Sequence, residues 1–162
     1  MSSRILFEIE IPVWKTLIKT FHFLKTRKTA RDLVVRLTDD AIPVELLSGE
    51  LDVTQRADVI KRFREGKAKM LVTTNVTARG TDVEDVNLVI NFDLPISQDG
   101  LPDFETYLHR IGRTGRFGRS GIAINLVDSY SMGSLEKIQK HFGRQIDRLD
   151  ATDSEQIERI AN

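Results

Sequence analysis

Short apolar runs rich in β-branched and aromatic residues alternate along this chain with stretches whose apolar positions recur every three or four residues. Thr20-Phe21-His22-Phe23-Leu24 is the first such run, and Leu33, Val34 and Leu37 then form a stripe that predicts a helix over 29–37. Val44 to Leu47 predicts a short strand ended by Ser48-Gly49. Val59, Ile60 and Phe63 predict a helix over 54–64, with Gly66 as its stop. Lys69 to Thr73, Val86 to Phe92 and Ile122 to Val127 have the near-continuous apolar character of strands buried on both faces. Helices are expected over 103–111 and over 134–142, the second closed by Gly143, and a last short one over 153–160 behind an Asp153 N-cap.

Strand followed by helix, repeated this often, predicts βαβ units. The fold class is therefore α/β: a single domain with a mainly parallel sheet and helices on both faces. Right-handed crossovers put every strand's carboxyl end on one edge of such a sheet, and ligands bind outside that edge. Ser97-Gln98-Asp99-Gly100-Leu101-Pro102 is a clear exposed loop, dense in turn formers.

Charge and composition narrow the chemistry. Lys+Arg and Asp+Glu both number 24 in 162 residues, so a nucleic-acid surface must come from a local cluster of arginines and lysines rather than a global field. Cysteine is absent, which excludes disulfides, thiolate metal sites and a cysteine nucleophile. His22, His109 and His141 are too far apart in sequence to show ligand spacing, so no metal site is expected. No apolar stretch is long enough to span a membrane, and the acids Glu8 and Glu10 fit neither a signal peptide nor a transit peptide. An intracellular location is expected.

Three constellations carry candidate chemistry. Arg110, Arg113, Arg116 and Arg119 recur every third residue with Gly112, Gly115 and Gly118 between them. A helix would lose about 1 kcal/mol at each glycine, so the segment reads as a helix end running into a tight loop that brings several guanidiniums onto one polyanion. A solvated basic loop is the bland alternative. Second, a buried strand ends in Thr73-Thr74-Asn75 and runs on to Arg79-Gly80-Thr81-Asp82, a set suited to backbone phosphates and a ribose hydroxyl, although Thr-Thr-Asn is also an ordinary turn pattern. Third, Arg56 near a helix start follows Ser48-Gly49 at a strand end, within reach of a nucleic-acid strand, while Lys61, Arg62 and Arg64 read as solvation of an outer face. Three phosphate-competent loops would then follow successive strands of one sheet.

His109-Arg-Ile-Gly-Arg-Thr-Gly-Arg116 is identical to motif VI of the DEAD-box RNA helicases. Thr74 to Asp82 resembles their motif V, Val89 to Pro95 their motif Va, and Phe21 to Arg27 a divergent motif IV. Order and spacing match the carboxy-terminal RecA-like lobe over residues 20–162, leaving 1–19 as a divergent segment. Leu47-Ser48-Gly49-Glu50, Thr73 to Val76 and Ile157 to Asn162 look like the nuclear-pore mRNA-export subfamily.

The resemblance implies two RecA-like lobes that close on ATP and single-stranded RNA. By position, Arg113 and Arg116 match catalytic arginine fingers; Arg79, Gly80 and Asp82 match the ATP-binding loop; Thr26, Gly49, Arg56 and Thr74 match contacts to the RNA backbone; His109 and Arg110 match groups that meet the opposite lobe. Backbone contacts carry little sequence specificity. The departures are His22 and Lys25 in motif IV, Val53 at a common Gln position, and Thr81 in place of Ile. The chain also contains neither G-x-x-x-x-G-K-[ST] nor Asp-Glu-Ala-Asp, so ATP with Mg2+ is expected to be held mainly by an amino-terminal lobe that these residues do not include, and no ATPase is expected from them alone. The implied function is RNA-stimulated ATP hydrolysis and RNA or ribonucleoprotein remodelling in mRNA export, in cytoplasm and nucleus and at the nuclear pore. The alternative is a stand-alone non-catalytic module that binds a nuclear-pore activator with inositol hexakisphosphate, or a partner lobe.

Overall fold

The computed structural model describes residues 19–74, 86–115 and 121–149. Five strands form one sheet: β1 (Thr20–Leu24), β2 (Val44–Leu47), β3 (Met70–Thr74), β4 (Leu88–Asn91) and β5 (Ile122–Asn125). Their order is β2-β3-β1-β4-β5, and every pairing is parallel. Four described helices accompany them: α1 (Arg27–Asp39), α2 (Val53–Arg64), α3 (Phe104–Ile111) and α4 (Met132–Phe142). The strands and helices expected from periodicity are thus present, with ends moved by a few residues. The expected helix over 153–160 lies outside the described residues.

Side chains alternate across the pleat, and the two faces of the sheet have separate cores. Phe21 and Phe23, two residues apart on β1, stack with ring centroids 4.7 Å apart and pack with Leu47, Leu71 and Val89 against Val59 and Phe63 of α2. On the other face Leu24, Met70 and Val72 pack against Ala30 and Leu37 of α1. A third cluster joins Leu94, Tyr107 of α3, and Leu135 and Ile138 of α4. Helices therefore cover both faces, as a parallel sheet requires.

The helix starts are fixed by side-chain oxygens. Thr26 Oγ1 accepts from the Thr29 N–H at the head of α1, and Asp103 Oδ1 accepts from the Thr106 N–H at the head of α3. Asp52 and Gln55 form a reciprocal capping box on α2. The first two caps are also the ends of the loops that leave β1 and β4, so the cap chemistry and the site geometry share residues.

Candidate nucleic-acid interface and arginine segment

Three of the four RNA-backbone candidates meet at the carboxyl ends of neighbouring strands. Leu24 pairs with Thr74, and Leu47 pairs with Thr73, so the loops that begin at Lys25, at Ser48 and after Thr74 leave the sheet side by side. Thr26 caps α1 there, Gly49 is exposed one residue beyond the buried Ser48, and Thr74 is the buried last residue of β3. Arg56 joins them from the first turn of α2. Its Nε is buried and finds no hydrogen-bond partner among the described residues.

The arginine segment is elsewhere. Arg113 and Thr114 follow α3, not a strand, and α3 runs back across the sheet toward the amino end of β5. The Val86 N–H donates to the Arg113 carbonyl at 3.4 Å, Thr114 Oγ1 donates to the Asn87 carbonyl at 3.0 Å, and Val86 and Thr114 form a parallel bridge. Asn87 N–H in turn donates to the carbonyl of Lys19, which precedes β1. All of these lie at the amino ends of the strands. The expectation of three loops following successive strands is therefore corrected. Two begin at the carboxyl ends of strands, and Arg113 and Thr114 lie at the opposite end, separated by the height of β1, roughly 13 Å for four residue steps. A helix that returns from one parallel strand to the next must end at that edge, so a segment on the end of α3 lies at the amino ends of the strands.

Between the two ends stands Arg110. It is 2% exposed. Its Nη1 donates to Asn91 Oδ1 at 2.9 Å and to the Asp93 carbonyl at 2.7 Å, and the guanidinium lies 4.9 Å from the Phe23 ring centroid. Asn91 Nδ2 donates to Asn125 Oδ1 at 2.9 Å, and Asn125 Nδ2 donates to the Tyr107 hydroxyl at 3.2 Å. Burial pushes the Arg110 guanidinium down to about 10, against the opposing charges of Asp93 and Asp103, so it remains a cation at neutral pH. Burial likewise raises the Tyr107 phenol, opposed by the bond from Asn125. His109, its neighbour in sequence, is exposed on the outer side of α3. The pair assigned to the opposite lobe is thus split between the interior and the surface.

Asp93 links the two regions. Its carbonyl accepts from Arg110, while its Oδ2 accepts from the Lys25 N–H at 2.7 Å, one residue before Thr26. Asn91, Asn125 and this use of Asp93 were not legible as site features; the one available signal was an amide at the end of each of two strands otherwise apolar.

Arg79, Gly80, Asp82 and Arg116 lie outside the described residues. Arg113, half-buried on a backbone held by Val86, offers a forked guanidinium, a donor set that fits a polyphosphate. Among the described residues, no group of three or more His, Asp or Glu side chains is placed to hold a metal ion, and no helix is long and apolar enough to cross a membrane.

A parallel five-stranded sheet covered by helices on both faces, with the RNA-backbone candidates at one end and Arg113 at the other, has the architecture of a RecA-like lobe. Residues 11–118 match the helicase conserved C-terminal domain, and the chain belongs to that family. It is similar to the human ATP-dependent RNA helicase DDX19A, 60% identical over 148 residues, which are 91% of this chain and 31% of that protein. The chain thus spans about a third of the length of the curated relatives it matches. It is also similar to S. cerevisiae Dbp5 bound to RNA and ADP BeF3, with a TM-score of 0.86 and 42% identity over 96% of this chain and 40% of that one. A point-substituted C-terminal domain of S. cerevisiae Dbp5 bound to Gle1 and IP6 matches with a TM-score of 0.82 and 41% identity, over 96% of this chain and 87% of that one.

Proposed function

We propose that this chain is the carboxy-terminal lobe of an ATP-dependent RNA helicase that remodels RNA or ribonucleoprotein during mRNA export at the nuclear pore. The observation that carries the reading is the gathering of Thr26, Gly49 and Thr74 at the carboxyl ends of three adjoining strands, with Arg56 beside them. Side-chain hydroxyls and a guanidinium on one edge suit the sugar-phosphate backbone of single-stranded RNA and read no bases.

Arg113, at the other end, acts with Arg116 as an arginine finger, and Arg79, Gly80 and Asp82 serve as the nucleotide-binding residues. Bound ATP supplies a γ-phosphoryl group whose charge, growing in transfer, is what a guanidinium stabilises. An amino-terminal RecA-like lobe holds the nucleotide and Mg2+, and His109 on the exposed side of α3 meets that lobe on closure. Arg110 serves the closed state from within, by fixing α3 on β4.

The test is reconstitution. The matching stretch of human DDX19A is replaced by this chain and ATP hydrolysis is measured with and without single-stranded RNA. RNA-stimulated turnover supports the reading; a folded chimera whose hydrolysis ignores RNA overturns it. The similarity to a Dbp5 C-terminal domain that binds Gle1 and IP6 favours a second reading, in which this lobe on its own captures an activator of that kind with a highly phosphorylated inositol. Binding that persists in the chimera after Arg113→Ala would separate that property from catalysis.

A further inference from the structure

Beside the RNA edge, the Glu50 carboxylate is bracketed by two guanidiniums of α1. Arg27 Nη1 approaches Glu50 Oε1 at 3.4 Å, and Arg31 Nη2 is hydrogen-bonded to Oε2. Arg27 and Arg31 lie one turn apart on one helix face, four residues being the spacing that aligns side chains. The Arg27 guanidinium also lies over Gly49, where a Cβ would stand 3.9 Å from Nη2. The cluster therefore adjoins Gly49 and the Thr26 cap, both on the proposed RNA path.

These ion pairs are about half exposed, with 56%, 52% and 49% of the Arg27, Arg31 and Glu50 side chains accessible. Pairs so wet contribute little to a fold. Their stereochemistry is of more consequence. Two guanidiniums converge on one pair of anionic oxygens, as they would on two oxygens of a phosphodiester. The bond from Arg31 and the charges of both arginines lower the Glu50 carboxyl from its ordinary value.

We infer that Glu50 is an internal stand-in for an RNA phosphate: Arg27 and Arg31 form a further phosphate-binding position at the entry to α1, and the Glu50 carboxylate occupies it until RNA displaces it. The inference rests on the proposal that this edge binds RNA. Exchange of one exposed anion for another costs little in desolvation, so the carboxylate tunes affinity downward while keeping two long side chains ordered for the incoming strand. A lobe that must release RNA every cycle benefits from such a built-in competitor, because it weakens binding without removing a contact.

The experiment measures binding of a fluorescent oligouridylate to the 162-residue chain by anisotropy, across a series of salt concentrations beginning at low ionic strength. Glu50→Gln should tighten binding about threefold, the scale of one exposed ion pair. It should also steepen the slope of log affinity against log salt by about 0.7 for each arginine that turns to phosphate. Arg27→Gln with Arg31→Gln should abolish that gain, and Asp39→Asn, which removes one negative charge at the far end of α1, should not reproduce it. A gain that survives loss of both arginines, or that Asp39→Asn matches, overturns the inference, because the effect is then one of net charge. Binding that Glu50→Gln leaves unchanged in both affinity and slope overturns it while leaving the RNA reading standing. Absence of binding by the chain and by Glu50→Gln overturns both.

Discussion

Arg110 Nη1 donates a 2.9 Å hydrogen bond to Asn91 Oδ1, and this bond joins the last turn of α3 to the carboxyl end of β4 inside the core. The direction of the whole relay follows from it. Because Asn91 Oδ1 accepts from Arg110, Asn91 Nδ2 must donate, which fixes Asn125 Oδ1 as its acceptor and turns Asn125 Nδ2 toward the Tyr107 hydroxyl. Each amide has one orientation that satisfies both neighbours, so the relay specifies the register of α3 on the sheet.

Removing the guanidinium should therefore be costly. Arg110→Ala strands the Asn91 oxygen and the Asp93 carbonyl and opens space over Phe23, for a loss of about 3 kcal/mol. At this chain length that lowers the melting temperature by roughly 6–12 °C. Arg110→Lys keeps the charge without the planar fork, and should recover part of the loss. Thermal unfolding of the three proteins followed by circular dichroism checks the order; equal midpoints for Arg110→Ala and the parent would refute the pinning role.

Placing the RNA candidates and Arg113 at opposite ends of the strands predicts that their functions separate. In the DDX19A chimera, Arg113→Ala should reduce RNA-stimulated hydrolysis by about 10³-fold, the range for loss of an arginine finger. Its affinity for single-stranded RNA in the absence of nucleotide should stay within twofold of the parent, because residues 113–114 are held against Val86 and Asn87 at the amino edge. Arg56→Ala should do the reverse, weakening RNA binding and moving hydrolysis only through the RNA concentration required. Steady-state kinetics against RNA concentration distinguish the two; an Arg113→Ala protein that loses RNA affinity and turnover together would contradict the separation.

His22 predicts an acid-sensitive fold. It is 6% exposed on the central strand, Nε2 lies 3.0 Å from Thr20 Oγ1, and Nδ1 finds no partner among the described residues. Its register partners on both sides, Val72 and Ile90, are apolar. Burial lowers its pKa from 6.5 to about 4, so the folded state holds the ring neutral where the unfolded chain protonates it. Stability is thus unaffected above the unfolded value and falls as pH drops from about 6.5 toward 4, by about 3 kcal/mol over the window. Urea unfolding between pH 4.5 and 7.5 should show this slope in the parent and a shallower one in His22→Leu, since losses from carboxylates cancel in the comparison. Parallel curves would show that the ring is not the group responsible.

Most of this architecture is legible because one requirement repeats. A strand such as Met70 to Thr74, covered on both faces, carries a continuous apolar run through Met70, Leu71 and Val72, whereas α2 turns Val59, Ile60 and Phe63 to the sheet at helical spacing, so period and continuity separate the two kinds of element. The RNA candidates come from the motif resemblance, and three of them, Thr26, Gly49 and Thr74, stand at or within two residues of a strand's carboxyl end, where the chain leaves the core. What escaped the sequence is whatever depends on two distant segments meeting. Asn91 and Asn125 are 34 positions apart and become partners through the β4–β5 register alone. Glu50 acquires its meaning from Arg31, which reads on its own as one more charge on a solvated helix.

The glycines of the arginine segment give a sharper case, and a final prediction. Gly115 has a φ of 73°, a conformation that an L side chain enters at a cost of about 1–2 kcal/mol, as expected for a tight turn. Gly121, which periodicity leaves unremarked, is there for a different reason. A Cβ on it would overlap the Gly115 amide nitrogen and the Thr114 hydroxyl and stand 2.7 Å from the Gly115 Cα, so the entry to β5 is stacked directly on the arginine loop. Backbone cannot swing aside as a side-chain tip can. Gly121→Ala must therefore displace residues 114–115, at about 1–3 kcal/mol, and with them Arg113. Gly133, in α4 with open space around it, is the control: Gly133→Ala should stabilise the fold by up to about 1 kcal/mol through helix propensity. In the chimera, Gly121→Ala should lower RNA-stimulated turnover more than tenfold while RNA affinity holds, and Gly133→Ala should leave both unchanged. If Gly121→Ala melts earlier yet turns over at the parent rate below its melting temperature, the close stacking supports the fold without positioning Arg113.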